Sequence, residues 1–302
     1  MNGPVSITSI KTNKNHPASI DEDILDGPPS TTWHDFKHAK LRQFPRHATR
    51  IKWLEYLGHG SQGIVFKATI GNGDPVAIKI FWRTLRPDPY RIPLPRGGFR
   101  PIEWLFEEES RTVALLEKIK WVMSTETNPE QSVKVEKGPK RYNSALRNLY
   151  SFSDEGRRSS RMSTRRELTD APPFPPLPTC YGWMKVKRSR VPQLYPPLRR
   201  EMDYNLNWHW ALVYELVPGA TQDLAIGQLH LDFFHAVGFD MHPYKPDNWH
   251  GGRLVDYTDI CSPLNTCWSA GKVRQREAKE WFWTLDFSSD NITRRTIMPP
   301  PT

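Results

Sequence analysis

The sequence predicts an α+β fold, an antiparallel sheet followed by one long helix, with further strands and short helices behind it. Three observations carry that expectation. Between Ile51 and Trp82, the runs IKWLEYLG, GIVFKATI and PVAIKIFW alternate or cluster β-branched and aromatic residues between glycine-containing turns. Beyond a Pro- and Gly-rich loop, the stretch from Ile102 to Trp121 sets Trp104, Leu105, Val113, Leu116 and Ile119 mostly at helical spacing. Finally, 12 Trp, 10 Tyr and 13 Phe among 302 residues require a packed interior.

Taken in order, residues 1–45 are polar, proline-rich and without sustained periodicity, which predicts a disordered arm carrying a short acidic-apolar patch from Ile20 to Gly27. Residues 46–122 hold the three strands and the long helix, and 123–176 read as a basic, disordered insertion. Strand texture returns in CYGWMKV and WALVYELV, within 177–219. In the remainder, 220–302, LDFFHAVGFD reads as a short helix end, RLVDYTDI as a short strand and AKEWFWTL as a helix. No internal repeat is visible.

Composition excludes several classes. Hydrophobic residues are 37% and prolines number 28, which predicts a folded core diluted by disordered stretches. No apolar run approaches the roughly 18 residues of a membrane span, and the N-terminus lacks the basic start and apolar segment of a secretory signal. Cys180, Cys261 and Cys267 are odd in number and show no zinc-type pairing, so neither a disulfide scaffold nor a zinc finger is expected, and the compartment reads as reducing. His235, His242 and His250 are read as structural or exposed rather than as a ligand set.

Of the formal net charge of +9, much sits in one place: Lys134 to Arg166 holds ten Lys/Arg against three acids. Such a run is usually a solvated loop. The sharper reading is a nuclear-localisation or nucleic-acid patch, with Ser159, Ser160, Ser163 and Thr164 set among arginines for phosphorylation.

The chemistry-bearing pattern lies between the first two strands. Gly58-His59-Gly60-Ser61-Gln62-Gly63-Ile64-Val65 is a full G-x-G-x-x-G-x-V that precedes a strand, not a helix, which argues against a dinucleotide fold. Lys79, sixteen residues after Gly63, ends Val76-Ala77-Ile78-Lys79. A strand lysine under a glycine loop suits phosphate oxygens, and it needs a carboxylate partner. Glu107, Glu108 and Glu109 open the following helix, and Glu109 is the preferred partner.

From these residues the chain resembles the protein-kinase fold. The resemblance implies a complete N-lobe of antiparallel sheet plus one helix (46–122 and 177–219) and a truncated helical C-lobe (220–302). It makes Tyr214 a gatekeeper and Glu215 to Val217 the adenine-binding hinge, with Gly58, Gly60, Gly63, Val65, Ala77, Lys79 and Glu109 around ATP. Gly238 to Asn248 aligns with a catalytic loop in which Lys245, Pro246 and Asn248 match, while Met241-His242-Pro243 replaces His-Arg-Asp. Asp256 stands eight residues after Asn248, at the place of the Asp-Phe-Gly aspartate, and with Asn248 it implies a Mg2+ site of hard oxygen ligands or, equally, a hydrogen-bonded loop.

Two departures bear on function. Pro243 cannot accept a proton, and a general base is worth about 10² to 10⁴ in rate. Asp240 is weighed as a substitute. Only 46 residues follow Asp256, from which a shortened C-lobe is expected. LGHGSQGIVFKA, VAIKIFW, CYGWMKV and GFDMHPYKPDNWHGGRLVDYTDICSP together resemble the fungal kinetochore family of the Fta-two subunit of the Sim-four complex, over roughly Ile51 to Pro263 without the insertion. That resemblance implies a nuclear scaffold with inner-kinetochore protein partners, catalytically impaired, with room for ATP and Mg2+. The alternative is a divergent Ser/Thr kinase or small-molecule phosphotransferase using both; a third reading is nucleic-acid association through 134–166. Trp208, Trp210, Trp249, Trp281 and Trp283 are read mostly as core, with an exposed subset for a partner.

Overall fold

In the computed structural model, residues 17–24, 26–86, 92–93, 99–100, 104–125, 132–160, 167–193, 207–243 and 245–283 are described. The fold is mixed α+β, with one large mixed sheet and few helices. The chain divides into two compact units: 1–27, 38–115 and 179–216 form the first, and 28–37, 116–178 and 217–302 the second.

The first unit is a seven-stranded sheet. Its strands are β1 (Ile20–Ile24), β2 (Leu41–Gln43), β3 (Ile51–His59), β4 (Gly63–Ile70), β5 (Val76–Phe81), β10 (Cys180–Lys187) and β11 (Trp208–Glu215), in the order β1-β2-β10-β11-β5-β4-β3. Two further short pairs in the chain are β6 (Ile92–Pro93) with β7 (Phe99–Arg100), and β8 (Lys134–Glu136) with β9 (Leu168–Asp170). The three runs predicted as antiparallel strands pair as β3-β4-β5, and the two later runs pair as β10-β11, with β11 antiparallel to β5. Among the described residues, only β1-β2 and β2-β10 are parallel.

Strand alternation sorts the side chains. Ile64, Phe66, Ala68 and Ile70 of β4 are buried with Ile78, Ile80, Met184, Val186, Ala211 and Val213 in one core, the period-two outcome their spacing predicts. Residues of the other parity face α2 (Leu105–Thr125), whose Phe106 stacks on Trp210 at 4.9 Å and meets Phe81 edge-on at 5.2 Å. Trp183 and Trp208 also meet Trp210, at 5.5 and 4.6 Å, so much of the tryptophan content is core. The division between the two units falls inside α2, after Leu115.

The second unit contains α1 (Trp33–Lys37), α3 (Tyr142–Tyr150), α4 (Asp154–Ser160), α5 (Leu224–Val237) and α6 (Ala278–Trp283). Two two-residue pairings complete it with β8-β9: β12 (Asp240–Met241) with β15 (Ile260–Cys261), and β13 (Trp249–His250) with β14 (Arg253–Leu254). Asp223 caps α5 by accepting from Ala225 N and Ile226 N, and Gly238 ends it at φ 83°. A side chain at Gly238 would meet Ala145 Cα at 2.6 Å, so the glycine serves both the turn and the packing of α3.

Several expectations are corrected. The arm assigned to 1–45 is ordered from Pro17 onward wherever it is described: Ile20 is in the sheet, and Phe36 and Leu41 are fully buried. Asp154 and Glu155 accept from Thr31 Oγ1 and Trp33 N. The insertion assigned to 123–176 is folded across 132–160 and 167–176, because Val133, Val135, Ala145, Leu149 and Phe152 supply an apolar side that a charge count does not register. Asn148, 1% exposed, receives Glu136 N and donates to Glu136 O and Ala236 O, tying α3 to β8 and α5. The helix expected from Leu231 begins at Leu224, and the strand expected in RLVDYTDI is only Arg253–Leu254, followed by a 3-10 turn at Tyr257–Asp259. Cys261 and Cys267 are joined, with 6.4 Å between their Cα atoms, although no disulfide was expected; Cys180 takes no part in a disulfide. Residues 161–166, with Ser163 and Thr164, lie outside the described residues. So does the side chain of Trp283.

Candidate functional site

In the first unit the lysine motif is built as its spacing implied. Lys79 lies on the inner strand β5, registered against Val65 on one side and Leu212 on the other. Its side chain points to the α2 face, where Lys79 Nζ meets Glu109 Oε2 at 2.6 Å. Glu107 and Glu108 take other partners: Glu107 meets Arg86 at 2.5 Å, and Arg111 meets Glu107 and Glu108 at 3.1 and 3.3 Å. Of the three glutamates, Glu109 is the one in contact with Lys79.

Tyr214, which the sequence marked only as a gatekeeper, is the third member of this centre. Tyr214 Oη donates to Glu109 Oε1 at 2.7 Å, so each carboxylate oxygen has its own donor. Tyr214 is registered against Ala77, two residues from Lys79 on the same strand face. Glu109 is 1% exposed, Tyr214 5% and Lys79 8%. A buried carboxylate needs this double satisfaction, since desolvation otherwise makes the ion costly.

The three glycines differ in what they do. A side chain at Gly63 would meet Ile80 O at 2.2 Å, so this glycine lets β4 run against β5. Gly58 and Gly60 have open space around the missing side chain. The loop is closed by Gly60 N donating to Gly63 O at 3.0 Å, Trp82 N to Gln62 O at 3.0 Å, and the Trp82 indole to Gly60 O at 2.8 Å. Trp82 is a second residue that the motif alone does not reveal. Glu215 turns its backbone and side chain to Thr179: its N donates to Thr179 O at 2.8 Å, and its carboxylate accepts from Thr179 N at 3.0 Å.

In the second unit, the aligned catalytic-loop residues come together around a carboxylate that was not chosen. Asn248 Nδ2 donates to Asp259 Oδ2 at 2.7 Å and Lys245 Nζ reaches Asp259 Oδ1 at 3.4 Å. His242 N donates to Asp259 O at 2.7 Å. Asp259 is 4% exposed, and burial pushes its carboxyl above the ordinary range against the opposing pull of Asn248 and Lys245. Asp256, expected either to join Asn248 at a metal or to stabilise the loop by hydrogen bonds, caps the 3-10 turn, accepting from Thr258 N and Thr258 Oγ1. The D-x-x-D spacing was legible, but nothing in it says which aspartate turns inward.

Met241 is buried in β12 and Pro243 is exposed. Asp240 is no substitute base: it is fully buried, and its Oδ2 accepts from Ser269 N at 2.6 Å. Val217 is half-buried, with its carbonyl 3.4 Å from His250 Nδ1. Among the described residues, three cations of the basic stretch are paired with acids. Arg147 makes a two-pronged pair with Glu136 at 2.6 and 2.9 Å, Lys134 meets Asp170 at 2.6 Å, and Arg157 meets Asp154 at 2.6 Å. Nothing in the described residues or in the comparisons supports the nucleic-acid reading of this stretch.

Comparison with known families finds one match: the family model described as kinetochore Sim4 complex subunit FTA2 covers residues 29–204. The matched span takes in the glycine loop, Lys79, Glu109 and the folded stretch from 132 to 160, and it ends before the catalytic-loop alignment. No curated protein matches.

Proposed function

Because the chain belongs to the kinetochore Sim4 complex subunit FTA2 family, we propose that it is a nuclear scaffold subunit built on a kinase-like fold with impaired phosphotransfer. The family places it at the kinetochore among the protein partners of that complex, and no described helix is long and apolar enough to cross a membrane.

The observation that carries the scaffold reading is the commitment of the second unit's polar side chains to one another. Lys245 and Asn248 are spent on Asp259, Asp256 on Thr258 and Asp240 on Ser269, while Pro243 has no titratable group. Phosphoryl transfer rests on positioning and charge stabilisation, with a base to orient the nucleophile. Here the loop reads as a hydrogen-bonded structure that stabilises itself.

The first unit fits a phosphate-bearing ligand better. Gly58 and Gly60 leave room for close approach to the loop backbone, and Glu109 holds Lys79 in a fixed place. Lys79 and the loop N–H groups would hold the phosphates of ATP, which would serve as a structural ligand. In the second unit the expected Mg2+ ligands do not converge: Asn248 is bonded to Asp259, and Asp256 is turned to its own 3-10 helix. A second reading, a divergent kinase or small-molecule phosphotransferase, rests on the intact Lys79–Glu109 pair.

The test is phosphoryl transfer from γ-labelled ATP by the purified chain, beside Asn248→Ala and Asp259→Asn. Label at the level of a heat-inactivated sample is expected. Incorporation by the wild type that both substitutions abolish, in proteins that stay folded, would overturn the scaffold reading in favour of the enzyme. Binding has its own readout: Mg-ATP at a hundred times its Kd should stabilise by about 2.7 kcal/mol.

A further inference from the structure

The β12–β15 ladder sets three metal-ligating side chains together in a part of the chain where the sequence showed no zinc pattern. Asp240 is registered directly opposite Cys261, and His242 follows Asp240 by two, so strand alternation returns it to the same side. One potential ligand atom from each of Asp240, His242 and Cys261 lies within 4.8 Å of the others. Asp240 is fully buried, Cys261 is 4% exposed and His242 is half-buried. Cys267, bonded to Cys261, brings a second sulfur to the same point.

The surroundings hold this cluster in place. Ser262 Oγ bonds Asn265 Oδ1 at 3.0 Å, and Asn265 N donates to Ser262 O at 2.9 Å, which folds the six-residue span from Cys261 back on itself. Just past Cys267, the Trp268 indole donates to Gly238 O at 2.8 Å and Ser269 N donates to Asp240 Oδ2 at 2.6 Å. The second bond orients the carboxylate by one oxygen, as the outer hydrogen bonds of metal-ligating groups do.

We propose that, in the reduced chain, Asp240, His242, Cys261 and Cys267 form a structural Zn2+ site. A nuclear compartment keeps thiols reduced, so a lasting disulfide is the less suitable state for this pair. Two equivalents of a cellular thiol deliver two electrons and two protons to the Cys261–Cys267 bond, leaving two Cys thiols and the donor's own disulfide. Each cysteine then loses its proton on metal binding. Two thiolates, an imidazole and a carboxylate suit Zn2+, a borderline ion with no geometric demand beyond the tetrahedron. Ligand atoms around such an ion stand about 3.3–3.8 Å apart, a small closure from the observed cluster. With all four positions supplied by protein, the site is structural: it staples a ladder of two residues per strand to the loop that follows it. The ligands come in two pairs from segments about twenty residues apart, one of them Asp-x-His, which is why no Cys-x-x-Cys spacing announced them.

The experiment uses the full chain, purified in a thiol-free phosphine reductant without chelators. Metal analysis should find about one zinc per chain, and a thiol reagent should report Cys180 before chelation and all three cysteines after it. Replacement by Co2+ should give a thiolate-to-metal charge-transfer band with d–d absorption of tetrahedral strength. His242→Gln and Cys267→Ser, both at half-buried positions, should lower Zn2+ affinity more than about 100-fold, beyond what losing an outer-shell partner costs. A folded, reduced chain that takes up no stoichiometric zinc from a competing chelator would overturn the proposal. So would uptake unchanged in both variants, or a Cys261–Cys267 bond that persists in the reductant.

Discussion

Replacing Lys79 with Met would leave Glu109 Oε2 without its ammonium partner at a position 1% exposed. Breaking a buried pair by removing one partner costs about 3–5 kcal/mol, because the remaining charge is still desolvated. At about 2–4 °C per kcal/mol for a unit of this size, the melting temperature should fall by roughly 6–20 °C. Tyr214→Phe removes one hydrogen bond to a charged acceptor and should cost about 1.5–3 kcal/mol. Lys79→Met combined with Glu109→Leu removes the stranded charge, so it should recover to within about 1–2 kcal/mol of the wild type. Urea titrations of these proteins and of Glu109→Leu alone, read as midpoint and slope, separate these cases. The reasoning fails if Lys79→Met alone costs less than about 1 kcal/mol, the range of an exposed pair. It fails equally if the double substitution is as damaging as the two singles added together. The same result governs enzymology, since a Lys79→Met blank that has lost its fold reports nothing about phosphate chemistry.

Two further outcomes follow from single residues. Gly63→Ala drives a side chain into Ile80 O and should destabilise by well over 1 kcal/mol, while Gly60→Ala, with open space around it, should stay within about 0.5 kcal/mol; matched thermal melts would contradict this if the two behaved alike. His230 is fully buried, with its ring 5.7 Å from Trp249 and 6.0 Å from Phe234, and burial, reinforced by the charge of Arg253, pushes it down to about 3. Below about pH 6.5 the unfolded chain takes up a proton that the folded chain refuses, so this contribution is complete above that pH and shrinks as pH falls toward 3. Between pH 7.5 and pH 5 the wild type should lose about 2 kcal/mol more than His230→Phe, and equal losses would remove His230 as the cause.

Elements whose pattern is local were legible. The strands β3, β4, β5, β10 and β11 and the helix α2 follow from period-two and period-3.6 placement of apolar residues, and the Lys79–Glu109 pair follows from motif spacing plus an acidic helix start. What was misread shares one physical character. Residues 132–160 look like a basic loop because their charges outnumber their apolar residues, yet Ala145, Leu149 and Phe152 are buried and Arg147 and Arg157 are paired with acids three to eleven positions away. A charge count sees the cations and not their partners. The arm was misread for the same reason: Phe36 and Leu41 find their burial against residues distant in sequence.

The sequence by itself determined the strands, the long helix, the glycine loop and its lysine, and the absence of a proton acceptor at Pro243. Those are properties of neighbouring residues, written in spacing and side-chain chemistry. Only the tertiary structure decided that Tyr214 completes the Glu109 centre, that Asn248 and Lys245 choose Asp259 over Asp256, and that Asp240, His242 and the two cysteines converge. Each of these depends on the register of paired strands or on which side of a turn faces inward. Such choices are made by burial across the whole fold, where a shift of one residue exchanges the inner and outer faces.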